Sequence, residues 1–202
     1  MTPPRTLLQM AGAPLTPSPW DNAALVIIDA QLEYVTGALG LPDVRPALAE
    51  AARVLDLARR QGAPVIHIVH HGRPGGALFN PDGPLSGIAP EVAARAGEPV
   101  IAKSLPNAFA KTTLAATLEA TGRKELVVAG FMTHMCVSAT VRSALDLGYR
   151  TTVVADATAT RDLPDPLGGI VPAATVHHAT LAALADRFAV VVRNADAWKA
   201  SE

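Results

Sequence analysis

The stretch ELVVAGFMTHMCVSAT at residues 125–140 decides the fold. ELVVA, at residues 125–129, is a short apolar run of the kind a buried strand shows, and the residues after it turn directly into a helical period. A strand that feeds a helix is half of a βα unit, and the rest of the chain repeats the alternation. ALVII (24–28), PVIHIV (64–69), PVIA (99–102), TTVVA (151–155) and residues 189–192 read as five further strands. Helical periods separate them. Residues 44–61 place Leu48, Ala51, Ala52, Leu55 and Ala58 near helical spacing, with Gly62 as a stop. Residues 90–96 suit a short helix, and 112–121, 134–147 and 173–186 suit longer ones; Gly122 and Gly148 end the first two of these. Continuous apolar strands point to a sheet covered on both faces. The expected fold is α/β: a single-domain, three-layer α/β/α arrangement with a six-stranded, mostly parallel sheet.

Composition agrees with one folded domain. Of 202 residues, 50% are hydrophobic and 17% are charged, which excludes global disorder. Residues 1–22 read as a Pro-rich arm, with Trp20 as its anchor, and 23–202 as the domain. The net charge is -1 and no basic stripe is visible, so nucleic acid is not an expected partner. No apolar run approaches the roughly 20 residues that span a bilayer. The opening MTPPRTLLQM has no signal-peptide core, and a single cysteine allows no internal disulfide. The cytoplasm is the expected location. Alanine-rich helices and the arm suggest a homo-oligomer.

In a doubly wound sheet, ligands sit beyond the carboxyl ends of the strands. Asp29 follows the first strand, His70 and His71 the second, Lys103 the third, residues 130–136 the fourth and Asp156 the fifth. Asp29, Lys103 and Cys136 therefore come from three strand ends that can converge. Cys136 stands at a helix opening, where free amides and the helix dipole favour a thiolate and can hold a developing oxyanion. Thr133 is placed to cap that helix. Asp29 can take the thiol proton and return it to a leaving amine. Lys103, if it faces the cleft, needs a carboxylate partner, and Asp29 is available.

No metal is expected. Four of the six histidines form the pairs His70–His71 and His177–His178, whose members diverge on a strand or a helix, and no HExxH or CxxC pattern occurs. The pair His177–His178 reads as helix packing. The stretch GRPGG at 72–76 lacks phosphate-loop order, and Arg73 in it reads as solvated. Tyr34, His70, Asn107, Phe109 and His134 are the candidate substrate contacts.

The motifs VIIDAQ (26–31), AKSLPNAF (102–109), GFMTHMCVSAT (130–140) and VVADAT (153–158) occur in this order on consecutive strand ends. Together they resemble the isochorismatase-like cysteine hydrolases, which include nicotinamidases, N-carbamoylsarcosine amidohydrolases and streptothricin hydrolases. The resemblance covers residues 24–192. It implies an Asp29–Lys103–Cys136 triad, a cis peptide before Met132, an oxyanion hole from the Met132 and Cys136 amides, no cofactor, and a homodimer or homotetramer. HIVHHGRPGG (67–76) lacks the Asp-x-His pattern of the metal-binding nicotinamidases. Vinyl-ether-cleaving isochorismatases lack the cysteine that stands here. The expected activity is thus amidohydrolase cleavage of an amide, lactam or ureido C–N bond in a small molecule. Three other readings stay open. One is an isochorismatase-type vinyl-ether hydrolase. Another is phosphotransfer on Asp29, although DAQ supplies no second carboxylate for Mg²⁺. The third is a non-enzymatic thiol redox or binding domain.

Overall fold

The computed structural model describes residues 3–199. Six parallel strands form one sheet: β1 (Ala23–Ile28), β2 (Val65–His70), β3 (Val100–Lys103), β4 (Glu125–Phe131), β5 (Arg150–Ala159) and β8 (Val190–Val192). Their spatial order is β3-β2-β1-β4-β5-β8. A hairpin, β6 (Leu163–Pro164) with β7 (Ile170–Val171), stands apart from the sheet. The helices are α1 (Leu7–Met10), α2 (Val44–Arg60), α3 (Leu114–Thr121), α4 (Ser138–Asp146) and α5 (Ala173–Arg187).

Side-chain alternation along β1 builds both layers. Ala23, Leu25 and Ile27 enter a core shared with Leu48, Ala51, Val54 and Leu55 of α2. Ala24, Val26 and Ile28 enter a second core with α3, α4 and α5, through Leu114, Val141 and Leu184. Every residue of β1 is buried, which explains its uninterrupted apolar run. β1 lies between β2 and β4 at the point where the strand order reverses, so the crevice for a ligand opens past Ile28 and Phe131.

One close approach fixes that crevice. Gly130 is paired with Ile28 and has φ 110°. A Cβ at Gly130 would lie 1.9 Å from the Ile28 carbonyl oxygen, so no other residue fits.

Several sequence expectations change. The helix expected over 134–147 begins instead as a π-helical turn, Thr133–Val137, before α4 takes over. Residues 90–96 hold only a 3-10 turn, Pro90–Val92, with a second proline-led turn at Pro84–Ser86. β5 outruns its apolar segment, because Gly130 and Phe131 pair with Thr158 and Ala159 beyond an irregularity in the ladder. That shift releases Ala155 and Asp156 from burial. The arm is not wholly irregular. Thr6 and Gln9 form a capping box that starts α1, and Asp186 of α5 accepts from the Leu7 amide at 2.9 Å. Trp20 packs against Trp198, ring centroids 5.0 Å apart. Among the described residues, no helix is long and apolar enough to cross a membrane.

Candidate active site

Asp29 is the first residue past β1 and adopts φ 49°, a left-handed conformation that aspartate tolerates better than most residues. Its amide donates to the Ile68 carbonyl at 2.9 Å, which ties the turn to β2. Lys103 is the last residue of β3 and Cys136 lies in the π-helical turn after β4. Asp29, Lys103 and Cys136 are 0%, 3% and 5% exposed, so the cluster is shut away from bulk water.

The Lys103 ammonium organises the cluster. Its Nζ donates to Asp29 Oδ2 at 2.6 Å and to Cys136 Sγ at 3.3 Å, and lies 3.2 Å from His70 Nδ1. An ammonium has three donors and no acceptor, so Nδ1 of His70 is the accepting nitrogen and its proton sits on Nε2. His70 is accordingly held neutral, with its pKa lowered to about 4 by burial, the Lys103 charge and neighbouring His71. Asp29 Oδ1 is buried with no hydrogen-bond partner among the described residues. It is the one acceptor in the cluster left open.

The helix opening that favours a thiolate is opposed here by burial and by Asp29, the group expected to take the thiol proton. Burial, followed by the charge of Asp29, pushes the Cys136 thiol up to about 12, against the opposing pull of Lys103. The helix opening does not outweigh a carboxylate beside the sulfur in a dry interior. Burial also raises the Asp29 carboxyl, with Lys103 working the other way. Geometry places the Lys103–Asp29 contact, at 2.6 Å, beside a thiol that burial disfavours as a thiolate.

A ring of aromatic groups closes over the cluster. Tyr34 is 2% exposed and meets Phe79 and Phe131 edge-on, with centroids 5.1 Å and 5.7 Å away. Phe79 also meets the His70 ring edge-on at 5.1 Å. Gln31 locks this wall. Its Oε1 accepts from the His70 amide at 2.7 Å, and its Nε2 donates to the carbonyls of His70 and Ser86. Glu33 holds the Phe79 loop by accepting from the Phe79 amide.

The nucleophile turn is pinned from both sides. The Met132 carbonyl accepts from the amides of Met135 and Val137, at 3.0 Å and 3.2 Å. Thr133 does not cap the helix. Its Oγ1 lies 3.0 Å from His177 Nδ1, because the π-helical opening turns the hydroxyl toward α5. His134 Nδ1 lies 2.5 Å from Thr160 Oγ1. The Phe131–Met132 peptide is cis.

Of the expected substrate contacts, Tyr34 and His70 border the cluster, and His134 lies two residues before Cys136 with its ring on Thr160. Asn107 and Phe109 have other partners as well. The Asn107 Oδ1 accepts from the Phe109 amide at 2.9 Å, a local turn bond. Phe109 stacks on Tyr149, the residue before β5, and packs on the second core. An aromatic ring with an apolar partner at that end of the sheet gains more from burial than from a polar site. Arg73 is exposed. The His71 amide donates to the Lys103 carbonyl at 2.8 Å, while His177, read as packing, holds Thr133. Gln31 was inside a quoted motif, yet only its two-loop geometry shows its task. Among the described residues, no group of three or more His, Cys, Asp or Glu side chains is arranged to hold a metal ion.

Comparison with known proteins bears on the family and the fold. Residues 23–196 match the isochorismatase domain. The chain superposes on the crystal structure of an isochorismatase from Pseudomonas putida KT2440 with a TM-score of 0.89 and 46% identity, covering 95% of this chain and 97% of the other. The secreted isochorismatase effector Isc1 of Verticillium dahliae is 35% identical over 187 residues, 93% of this chain and 96% of its own. A streptothricin hydrolase of Streptomyces noursei is 38% identical over 174 residues, 85% of this chain and 63% of its own.

Proposed function

The chain belongs to the isochorismatase family of hydrolases, and from that premise we propose that it cleaves a C–N bond of a small molecule through a thioester on Cys136. The observation that carries the reading is the single Lys103 ammonium donating to both Asp29 and Cys136 while Asp29 Oδ1 stays open. Relatives with amidase names support it, including nicotinamidase 3 of Arabidopsis thaliana, 33% identical over 183 residues. An N-carbamoylsarcosine amidase from Thermoplasma acidophilum is 27% identical with a TM-score of 0.74.

In this scheme Asp29 Oδ1 accepts the Sγ proton as sulfur attacks the substrate carbonyl. The negative charge moves from carboxylate to oxyanion, and Lys103 stays protonated beside both. The amides of Met132 and Cys136 hold the oxyanion. Collapse breaks the C–N bond, and the amine departs with the proton from Asp29. Asp29 then deprotonates a water that attacks the thioester. The C–S bond breaks, the acid leaves and Cys136 regains its proton. No cofactor or metal takes part in the scheme.

The same proposal includes a homodimer or homotetramer, supported by Leu167 and Ile170, 96% and 71% exposed on the β6–β7 hairpin. Light scattering should give a dimer or tetramer mass; a monomer mass would count against it. A reducing, cytoplasmic location suits a lone functional thiol, and cell fractionation tests that. For the activity itself, the wild type and Cys136→Ala are compared on a panel of primary amides, ureas and lactams. The wild type should hydrolyse at least one and the variant none. A wild type inert on the whole panel, or an active variant, would refute the reading.

A further inference from the structure

Side chains pin the nucleophile turn to three other parts of the fold, and one of these contacts has no place in the hydrolytic scheme. Cys136 is held by Lys103 of β3, and His134 meets Thr160 past β5. Thr133, the first residue of the turn, has its Oγ1 3.0 Å from Nδ1 of His177 on α5. A hydroxyl both donates and accepts, so this bond forms in either tautomer of the ring. It lies one residue from Met132, whose amide is one of the two oxyanion donors in the scheme.

The two ends of the bond differ in what else can satisfy them. Thr133 is 0% exposed and has no other side-chain hydrogen bond among the described residues, so losing His177 strands a buried hydroxyl. His177 is half-buried and lines a cavity of about 480 Å³ with Asp43, Asp156, Thr158 and His178. Water in that cavity can serve the ring. Thr133 therefore needs His177 more than His177 needs Thr133, and the bond serves the turn rather than the helix. The helix is a firm base for it. Leu181 and Leu184 of α5 enter the second core, and Asp162 accepts from the Ala173 amide at 2.7 Å, about one turn before His177.

We propose that His177 is a positioning residue for the hydrolytic step: through Thr133 it fixes the peptide groups from Met132 to Cys136, and so the aim of both oxyanion donors. Such donors stabilise a transition state only when they point to where its charge develops. His177 need touch neither the sulfur nor the substrate. The inference rests on the C–N hydrolysis reading for its catalytic consequence, but not for its effect on the turn.

His177→Leu keeps bulk and removes the bond, whereas His177→Asn keeps a polar group near the place of Nδ1. On an amide that the wild type hydrolyses, His177→Leu should lower kcat by about 100-fold with KM unchanged, the scale on which a small misplacement of catalytic groups acts. His177→Asn should recover most of that loss. Thr133→Val should show the same loss, and Thr133→Val/His177→Leu no more than either alone, because both remove one bond. A role confined to stability would lower the melting temperature and leave kcat per folded molecule alone. That result, or a rise in KM at constant kcat, overturns the proposal. Should His177→Leu fail to fold, Thr133→Val against the wild type decides in its place. Labelling of Cys136 by iodoacetamide needs no substrate. Its rate should rise by about tenfold in His177→Leu, as the loss of one hydrogen bond allows, and fall back toward the wild-type value in His177→Asn. Should no amide be hydrolysed by the wild type, the C–N reading fails while labelling still decides whether His177 holds the turn. An unchanged or slower rate in His177→Leu overturns it.

Discussion

Lys103 Nζ stands 2.6 Å from Asp29 Oδ2, with both side chains wholly buried. The two groups come from β3 and from the end of β1, with β2 between them in the sheet. Removing one member of such a pair leaves an uncompensated charge in a dry interior, at about 3–5 kcal/mol. Lys103→Met should therefore lose stability on that scale in urea melts and lose turnover. Asp29→Asn/Lys103→Met, which buries no charge, should regain much of the stability and none of the activity. If the double variant is no more stable than Lys103→Met, the ion pair is not what holds the site.

The thiol provides a second check. An ordinary cysteine titrates near pH 8.5, roughly, and its alkylation rate climbs through that range. Cys136 is pushed up to about 12 by burial and Asp29. Iodoacetamide should label it slowly, with no rise in rate across that ordinary range. A titration near the ordinary value would show that Lys103 dominates the sulfur instead.

Acid stability should follow Glu98. Hydrogen bonds from Arg59 hold its carboxyl down at about 2, below its ordinary 4.5. A carboxylate with a depressed folded pKa contributes stability that is present above the ordinary value. That contribution drains away as pH falls from about 4.5 through about 2. Glu98→Gln should lower stability at pH 7 by about 1–3 kcal/mol. The gap between wild type and variant should narrow over the same acid window, as followed by melts at successive pH. A gap independent of pH would contradict the assignment.

Gly130→Ala should fail to fold or lose the sheet's central pairing. Its Cβ would meet the Ile28 backbone, which cannot move aside without breaking the β1–β4 ladder. A well-folded Gly130→Ala with wild-type melting would overturn that reading of the crevice.

The sheet was legible because β1, β2 and β4 are covered on both faces and are therefore largely apolar. The strand ends then pointed to Asp29, Lys103 and Cys136 through topology alone. What stayed hidden depends on contacts between distant segments. The π-helical turn at 133–137 and the partnership of Thr133 with His177 span 44 residues and leave no periodic trace. The thiol's protonation state depends on burial beside Asp29, which helix-dipole reasoning from sequence omits. Phe109 depends on such a contact too. Its stacking on Tyr149, 40 residues on, leaves no trace in the local sequence.

The central claim is that Cys136 carries the acyl group. The most direct measurement is the intact mass of the protein quenched in acid during turnover of an amide, followed by peptide mapping. The account predicts a mass increase equal to the acyl fragment, located on the peptide containing Cys136 and discharged by hydroxylamine. Turnover with no adduct at any quench time, together with wild-type rates in Cys136→Ala, would contradict it.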